Sequence, residues 1–225
     1  MATSDSLAAT MKLVGGDLCL DFVNTVGGRI PDGAGAPGSR VLADKLTDYA
    51  DLVAWGRHTG SLGEADARHL VRQAESHPRE AEAVLGRVLG FREALHRTLR
   101  SLMLGRRPGP QDVSVLNAEI AAARCREVLV PARDGLHWEW ADAAGRLESP
   151  LWPVSRAAAA LLTSGDLSRL RQCGGERCGW LFLDRSRNRS RQWCTMEDCG
   201  NVEKVRRFRQ RHSRQSSRAR SRFKT

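Results

Sequence analysis

The sequence predicts a mostly α-helical body that carries one small β-hairpin, followed by a short cysteine-bearing unit of hairpin plus helix. Three observations carry that prediction. Apolar residues recur at helical spacing over most of the stretch from Leu42 to Leu162. One alternating stretch, centred on Asp134-Gly135, interrupts them. Four of the six cysteines stand as two close pairs beyond the helical stretch.

Residues 1–12 open with the polar "MATSDSLAAT" and are expected to be a flexible leader. The body is expected over 13–168. "GDLCLDFVNTVGG" is apolar but too short to assign, and "RIPDGAGAPGSR" reads as an exposed Gly/Pro loop. Leu42, Leu46, Tyr49 and Val53 share a helical face, with Gly60 as the stop. "SLGE" then offers a capping box, Ser61 to Glu64, for a helix reaching about Glu75. Pro78 starts a long helix whose stripe is Val84, Val88, Phe91, Leu95, Leu99 and Leu102. "RRPGP" breaks it, and the next helix begins near Gln111. "REVLVPARDGLHWEW" is the hairpin, and Pro150 and Pro153 open the last body helix. Trp55, Trp138, Trp140 and Trp152, with Cys19 and Cys125, are expected in the core.

Charge separates the two parts. The chain carries +10 overall, yet Arg171–Thr225 holds 16 Lys and Arg against 5 Asp and Glu. Residues 1–170 hold 20 against 21. A basic block on a neutral body is the footprint of a polyanion partner. No apolar run approaches the ~20 residues that span a bilayer, and no secretory h-region is visible. The expected location is the cytoplasm, in association with the nucleoid, and no membrane partner is expected.

In that reducing setting the cysteines matter. Cys173, Cys178, Cys194 and Cys199 are spaced C-x4-C-x15-C-x4-C. Two close pairs about 15 residues apart suit a closed tetrahedral four-thiolate zinc site. An iron–sulfur cluster or a disulfide remains an alternative, although the spacing is not a usual cluster run and disulfides seldom persist in a reducing cytosol. His212 is distant in sequence from the second pair. A closed shell leaves no position for a reactive water, so the zinc is structural. No Ser/His/Asp set or phosphate-binding glycine loop is visible, and the chain is not read as an enzyme.

Between the pairs, Arg185, Arg187, Arg189 and Arg191 alternate with Ser186, Asn188 and Ser190. In an extended segment the four guanidiniums would share one side and suit phosphate contact. "GNVEKVRRFRQRH" then reads as a basic helix, with Val202, Val205 and Phe208 packing on the metal unit. Lys204, Arg206, Arg207, Arg209 and Arg211 are expected to face outward, towards double-stranded DNA. Residues 213–225, nearly without apolar content, are expected to be a disordered basic tail.

The run "CGGERCGWLFLDRSRNRSRQWCTMEDCGN" closely resembles the CGNR zinc finger, and "LCLDFVNTV", "LVAWGRHTG" and "FREAL" resemble its partner, the ABATE domain. The resemblance implies a bacterial transcription regulator: a helical sensor over 13–168 and a treble-clef-like zinc finger over 169–212 that contacts DNA. Asn201 falls within the family motif. Val202 stands where the motif has Arg, giving "CGNV". A sensor domain implies a small-molecule effector, for which Asp21, Asn24, Thr25 and Arg92 are the candidate ligand residues; the alternative is that they satisfy one another through internal hydrogen bonds and an Arg–Asp pair. Self-association into a homodimer is a further expectation. The alternative function is an RNA- or ribosome-associated zinc protein, its tryptophans stacking on unpaired bases.

Overall fold

The computed structural model describes residues 6–31 and 39–222. The fold grows from α4 (Pro78–Met103), around which α1 (Leu18–Val23), α2 (Tyr49–His58), α3 (Glu64–Ser76) and α5 (Pro110–Arg124) pack. Val88, Phe91, Leu95 and Leu99 of α4 recur at helical spacing and are at most 1% exposed. Phe22 stands edge-on to Trp55, with ring centroids 5.3 Å apart, and lies 6.4 Å from Phe91. Each such side chain, fully removed from water, contributes about 1.5–3 kcal/mol. α6 (Trp152–Thr163) closes the body against α1 and α5.

Among the described residues, three antiparallel two-stranded sheets attach to this body. β1 (Val26–Pro31) pairs with β2 (Ser39–Asp44), β3 (Glu127–Ala132) with β4 (Gly135–Trp140), and β5 (Leu170–Gln172) with β6 (Leu181–Leu183). The Asp134-Gly135 hairpin forms as the sequence predicts, with Ala132 opposite Gly135. Its base packs on the body, where Trp140 lies 5.8 Å from Trp152 and Arg156 covers the Trp140 ring. α7 (Asn201–Arg222) ends the described chain.

Several expectations are corrected. Leu42 belongs to β2 rather than a helix, because Val41–Asp44 pairs with β1 and Asp48 caps α2 by accepting the Asp51 N–H. α3 starts without a side-chain cap, since the Ser61 hydroxyl donates back to the Gly56 carbonyl. Residues 6–12 do not fray: Ala8 and Met11 are buried in the core, and Ser6 donates to Asp51. Trp138 is 58% exposed on the outer hairpin, and Cys125, at the end of α5, is exposed. α7 runs on to Arg222, into the stretch expected to lack order, because no Pro or Gly interrupts it. The leader before Ser6, the loop residues 32–38 and the tail residues 223–225 lie outside the described residues.

The cysteine-bearing unit shares the body's core. Leu170, Leu181 and Leu183 pack in the same cluster as Phe22, Leu95 and Leu99. Hydrogen bonds close the seam. The Asn24 side chain donates to the Leu181 carbonyl at 2.8 Å and accepts the Leu181 N–H at 2.9 Å, as a neighbouring strand would. Leu183 N–H reaches Gly15 O, Arg29 N–H reaches Cys178 O, and the Trp180 indole reaches Val26 O. Backbones approach so closely that a side chain at Gly28 would place its Cβ 2.2 Å from the Arg177 carbonyl oxygen. Gly179, at φ +68°, turns the knuckle against Arg29 in a conformation glycine tolerates.

Asn24→Ala strands a buried N–H and a buried carbonyl on Leu181. Urea unfolding of the variant is expected to show a loss of about 2–6 kcal/mol, from about 1–3 kcal/mol for each of two orphaned groups. A loss under about 0.5 kcal/mol would mean the seam does not hold the unit.

A candidate nucleic-acid interface on a four-cysteine metal centre

The first cysteine pair sits in the loop that joins β5 to β6; of the second pair, Cys194 precedes the single wide helical turn Met196–Gly200 that leads into α7, and Cys199 lies within it. β6 supplies the one strand between the two pairs among the described residues. The strand after Cys178 returns to pair with the one before Cys173, so the hairpin encloses the first pair.

One ligand atom from each of Cys173, Cys178, Cys194 and Cys199 lies within 4.8 Å of all the others. The Cys178 and Cys194 sulfurs are 3.7 Å apart, and those of Cys194 and Cys199 are 3.5 Å apart. A tetrahedral zinc with Zn–S bonds of about 2.3 Å sets its sulfurs about 3.8 Å apart, so the four thiols fit the ion. Cys173 is drawn furthest towards thiolate, by hydrogen bonds from the Cys178 and Cys194 thiols. Zinc is structural here: four thiolates fill its shell. His212 takes no part, its Nδ1 lying against the Phe208 carbonyl one turn back.

The arginine segment is not an extended strand. Buried Asp184 gathers it into a turn, accepting Ser186 N–H at 2.9 Å, the Ser186 hydroxyl, and Arg191 N–H at 3.0 Å. The Ser186 hydrogen bonds hold this carboxyl below its usual range. Arg189 takes the left-handed conformation, φ +50°, within the turn. Arg185, Arg187, Asn188 and Arg189 are exposed on the arch. Arg191 is not available: it stacks 4.1 Å over Phe182 and donates to the carbonyls of Trp193, Val14 and Cys194. Its role is to satisfy backbone oxygens beside the metal centre. The sequence held a signal for this turn, since Asp-x-Ser at 184–186 is an Asx-turn pattern.

On α7, Val202, Val205 and Phe208 are 69%, 49% and 62% exposed, against the expectation that they pack inward. Glu203 is buried instead, 6% exposed. Arg206, then Arg207, hold its carboxyl below the usual range through hydrogen bonds of 2.8–3.1 Å. Arg206 also pairs with Glu176, and Arg207 lies over Trp193. Lys204 and Arg209 are exposed, and Asn201 is exposed with its amide on the Glu197 carbonyl. The Arg211 side chain lies outside the described residues.

The four candidate ligand residues are bonded within the fold. Asp21 accepts Gly15 N–H, and Asn24 is used by Leu181. Thr25 donates to Phe22 O and accepts from Arg92, whose guanidinium also grips Asp44 and Glu93. Their polar atoms are spent within the fold, as buried polar groups generally are. Burial pushes the Asp21 carboxyl up to about 6, against backbone hydrogen bonds from Gly15 and Val14.

Two outcomes follow from these contacts. Cys194→Ser is expected to lower zinc from one equivalent per chain and to shift unfolding of the whole chain down by about 10 °C or more, because β5 and β6 belong to the body's core. Metal analysis and calorimetry check it; an unshifted main transition would show the body independent of the metal. Asp21 keeps its proton longer folded than unfolded, so its contribution is full below about pH 4 and is lost as pH rises through about 6. The wild type should therefore lose about 1–2 kcal/mol relative to Asp21→Asn between pH 5 and 7.5 in paired urea titrations.

No curated protein matches the sequence. Residues 16–165 match the ABATE family, described as "putative stress-induced transcription regulator", and residues 169–212 match the CGNR zinc finger. Neither family is described as enzymatic, and among the described residues no helix is long and apolar enough to cross a membrane. With the first match covering most of the chain and the second falling on the four-cysteine centre, the chain belongs to the ABATE family and carries a CGNR zinc finger.

Proposed function

We propose that this chain is a DNA-binding transcription regulator whose zinc finger presents two basic elements to a duplex, the Asp184 turn and α7. The observation that carries this reading is the sorting of the basic residues. Arg191 is consumed structurally, and Arg206 and Arg207 are tied to Glu203. Arg185, Arg187, Arg189, Lys204 and Arg209 remain exposed on elements that the metal centre fixes. Cations that no fold contact uses, held by a rigid scaffold, are what phosphate recognition needs. Loss of the motif's Arg at Val202 removes one cation near the helix start and leaves every zinc ligand in place.

RNA recognition by stacking has less support. The Trp180 indole is bonded to Val26 O and Trp193 lies under Arg207, so neither ring is free for an unpaired base. The helical body supplies the regulatory input in this reading. With Asp21, Asn24, Thr25 and Arg92 occupied, one place for a small-molecule effector is the groove between α2 and α3. Its volume is about 460 Å³, within the range of ligand sites. Val53, Ala54, Ala67 and Val71 line it, and the Arg57–Glu64 ion pair stands at its rim.

Duplex affinity is expected to fall with salt at a slope of about −4 to −5 in log–log form, for five phosphate contacts. Lys204→Ala and Arg209→Ala should each reduce the slope by about one and keep zinc. Arg191→Ala should lower thermal stability instead. Titration by fluorescence anisotropy at several salt concentrations checks this, and a flat salt response would remove the DNA reading.

A further inference from the structure

The exposed face of α7 is not uniformly basic. Asn201, Val205, Phe208 and His212 follow one another at i, i+4, i+7 and i+11, the spacing of a single helix face. All four are exposed, and Phe208 and His212 stack with ring centroids 4.0 Å apart. The opposite face lies against the zinc unit: Glu203 is buried there, Arg206 pairs with Glu176, and Arg207 lies over Trp193. The helix therefore cannot turn its apolar crest inward without losing the contacts to Glu176 and Trp193. On the 3.6-residue wheel, Lys204 and Arg209 flank the crest on its two sides.

We propose that this crest reads A·T base pairs in the major groove, with Val205 and Phe208 resting on thymine C5-methyl groups. The inference rests on the DNA-binding reading above and adds the base preference to it. Charge complementarity selects the partner: an uncharged ridge between two cations matches a groove floor between two phosphate strands. Chemistry selects the base, because the thymine methyl is the one apolar group on the major-groove floor. Asn201, at the crest's start, can pair bidentately with adenine. Val205 and Phe208 are about 4.5 Å apart along the axis, close to one base step of about 3.4 Å. They therefore meet two consecutive pairs.

The test uses the full-length zinc-loaded chain. A duplex pool with a randomised 20-base-pair centre is selected for binding, and the recovered duplex is remade with deoxyuridine for thymidine, which deletes only the methyls. The expected site contains at least two consecutive A·T pairs. The deoxyuridine duplex should bind about four-fold more weakly per contacted methyl, or about 16-fold for two. Phe208→Ala should cut that penalty to about four-fold. If that variant loses zinc, the wild-type comparison alone decides. Equal affinity for the two duplexes, or a selected site without thymine, overturns this inference while DNA binding stands. Failure to bind any duplex overturns the DNA reading and this inference with it.

Discussion

Four thiols converging within 4.8 Å have little reason to stay together unless a cation sits among them. The placement of the two cysteine pairs and of the foot of α7 depends on that constraint. β5 and β6 contribute three residues each, too few for an independent sheet, and the lobe's own cluster is Phe182 with two of the cysteines. The metal closes the first knuckle on the hairpin and the second at the foot of α7. Direction is thereby imposed on α7, a helix whose composition provides no broad apolar face for packing.

The same constraint reaches into the body. Because Leu170, Leu181 and Leu183 are core residues, the finger is no pendant on a flexible tether. Asn24, Gly28 and Gly179 make the seam too close and too specific to slide. Lys12, bonded to Asp198 beside Cys199, adds a contact from the N-terminal end. An input that shifts α1 or β1 must therefore act on the hairpin holding the first cysteine pair. Regulation by rigid coupling through this seam needs no hinge, and the seam supplies the physical contact that such coupling requires.

Much of this was legible in the sequence where one signal dominated. The α4 stripe, the Asp134-Gly135 turn and the cysteine spacing each specify their structure locally. The errors arose where two residues compete for one role. Alternating arginines fit a strand, but Asp184 with Ser186 offers the backbone a turn whose hydrogen bonds are buried, and the turn prevails. Val202, Val205 and Phe208 fit an inward face, but Glu203 with Arg206 and Arg207 forms a bonded cluster against the metal unit, and that cluster takes the inward side. Leu42 fits a helix stripe, but its neighbours complete the ladder to β1. The role of Asn24 was not visible at all, because its partner is backbone 157 residues away.

That inversion on α7 also changes what Val202 means. A motif arginine at this position would add a cation beside Arg206 and Glu176, near the mouth of the cleft that Val202 lines with Cys178 and Cys199. Valine leaves that cleft less charged, and Glu176 keeps Arg206 as its partner. The formal charge of the finger thus overstates the charge offered to a polyanion. Glu203 takes up two arginines, the backbone carbonyls take up a third, and no cation stands at 202. What remains is a short row of free cations around an uncharged crest. On the proposed DNA-binding reading, such a surface would rely less on attraction to any phosphate backbone and more on the fit of its crest to particular bases, so selectivity would rise as charge is withdrawn.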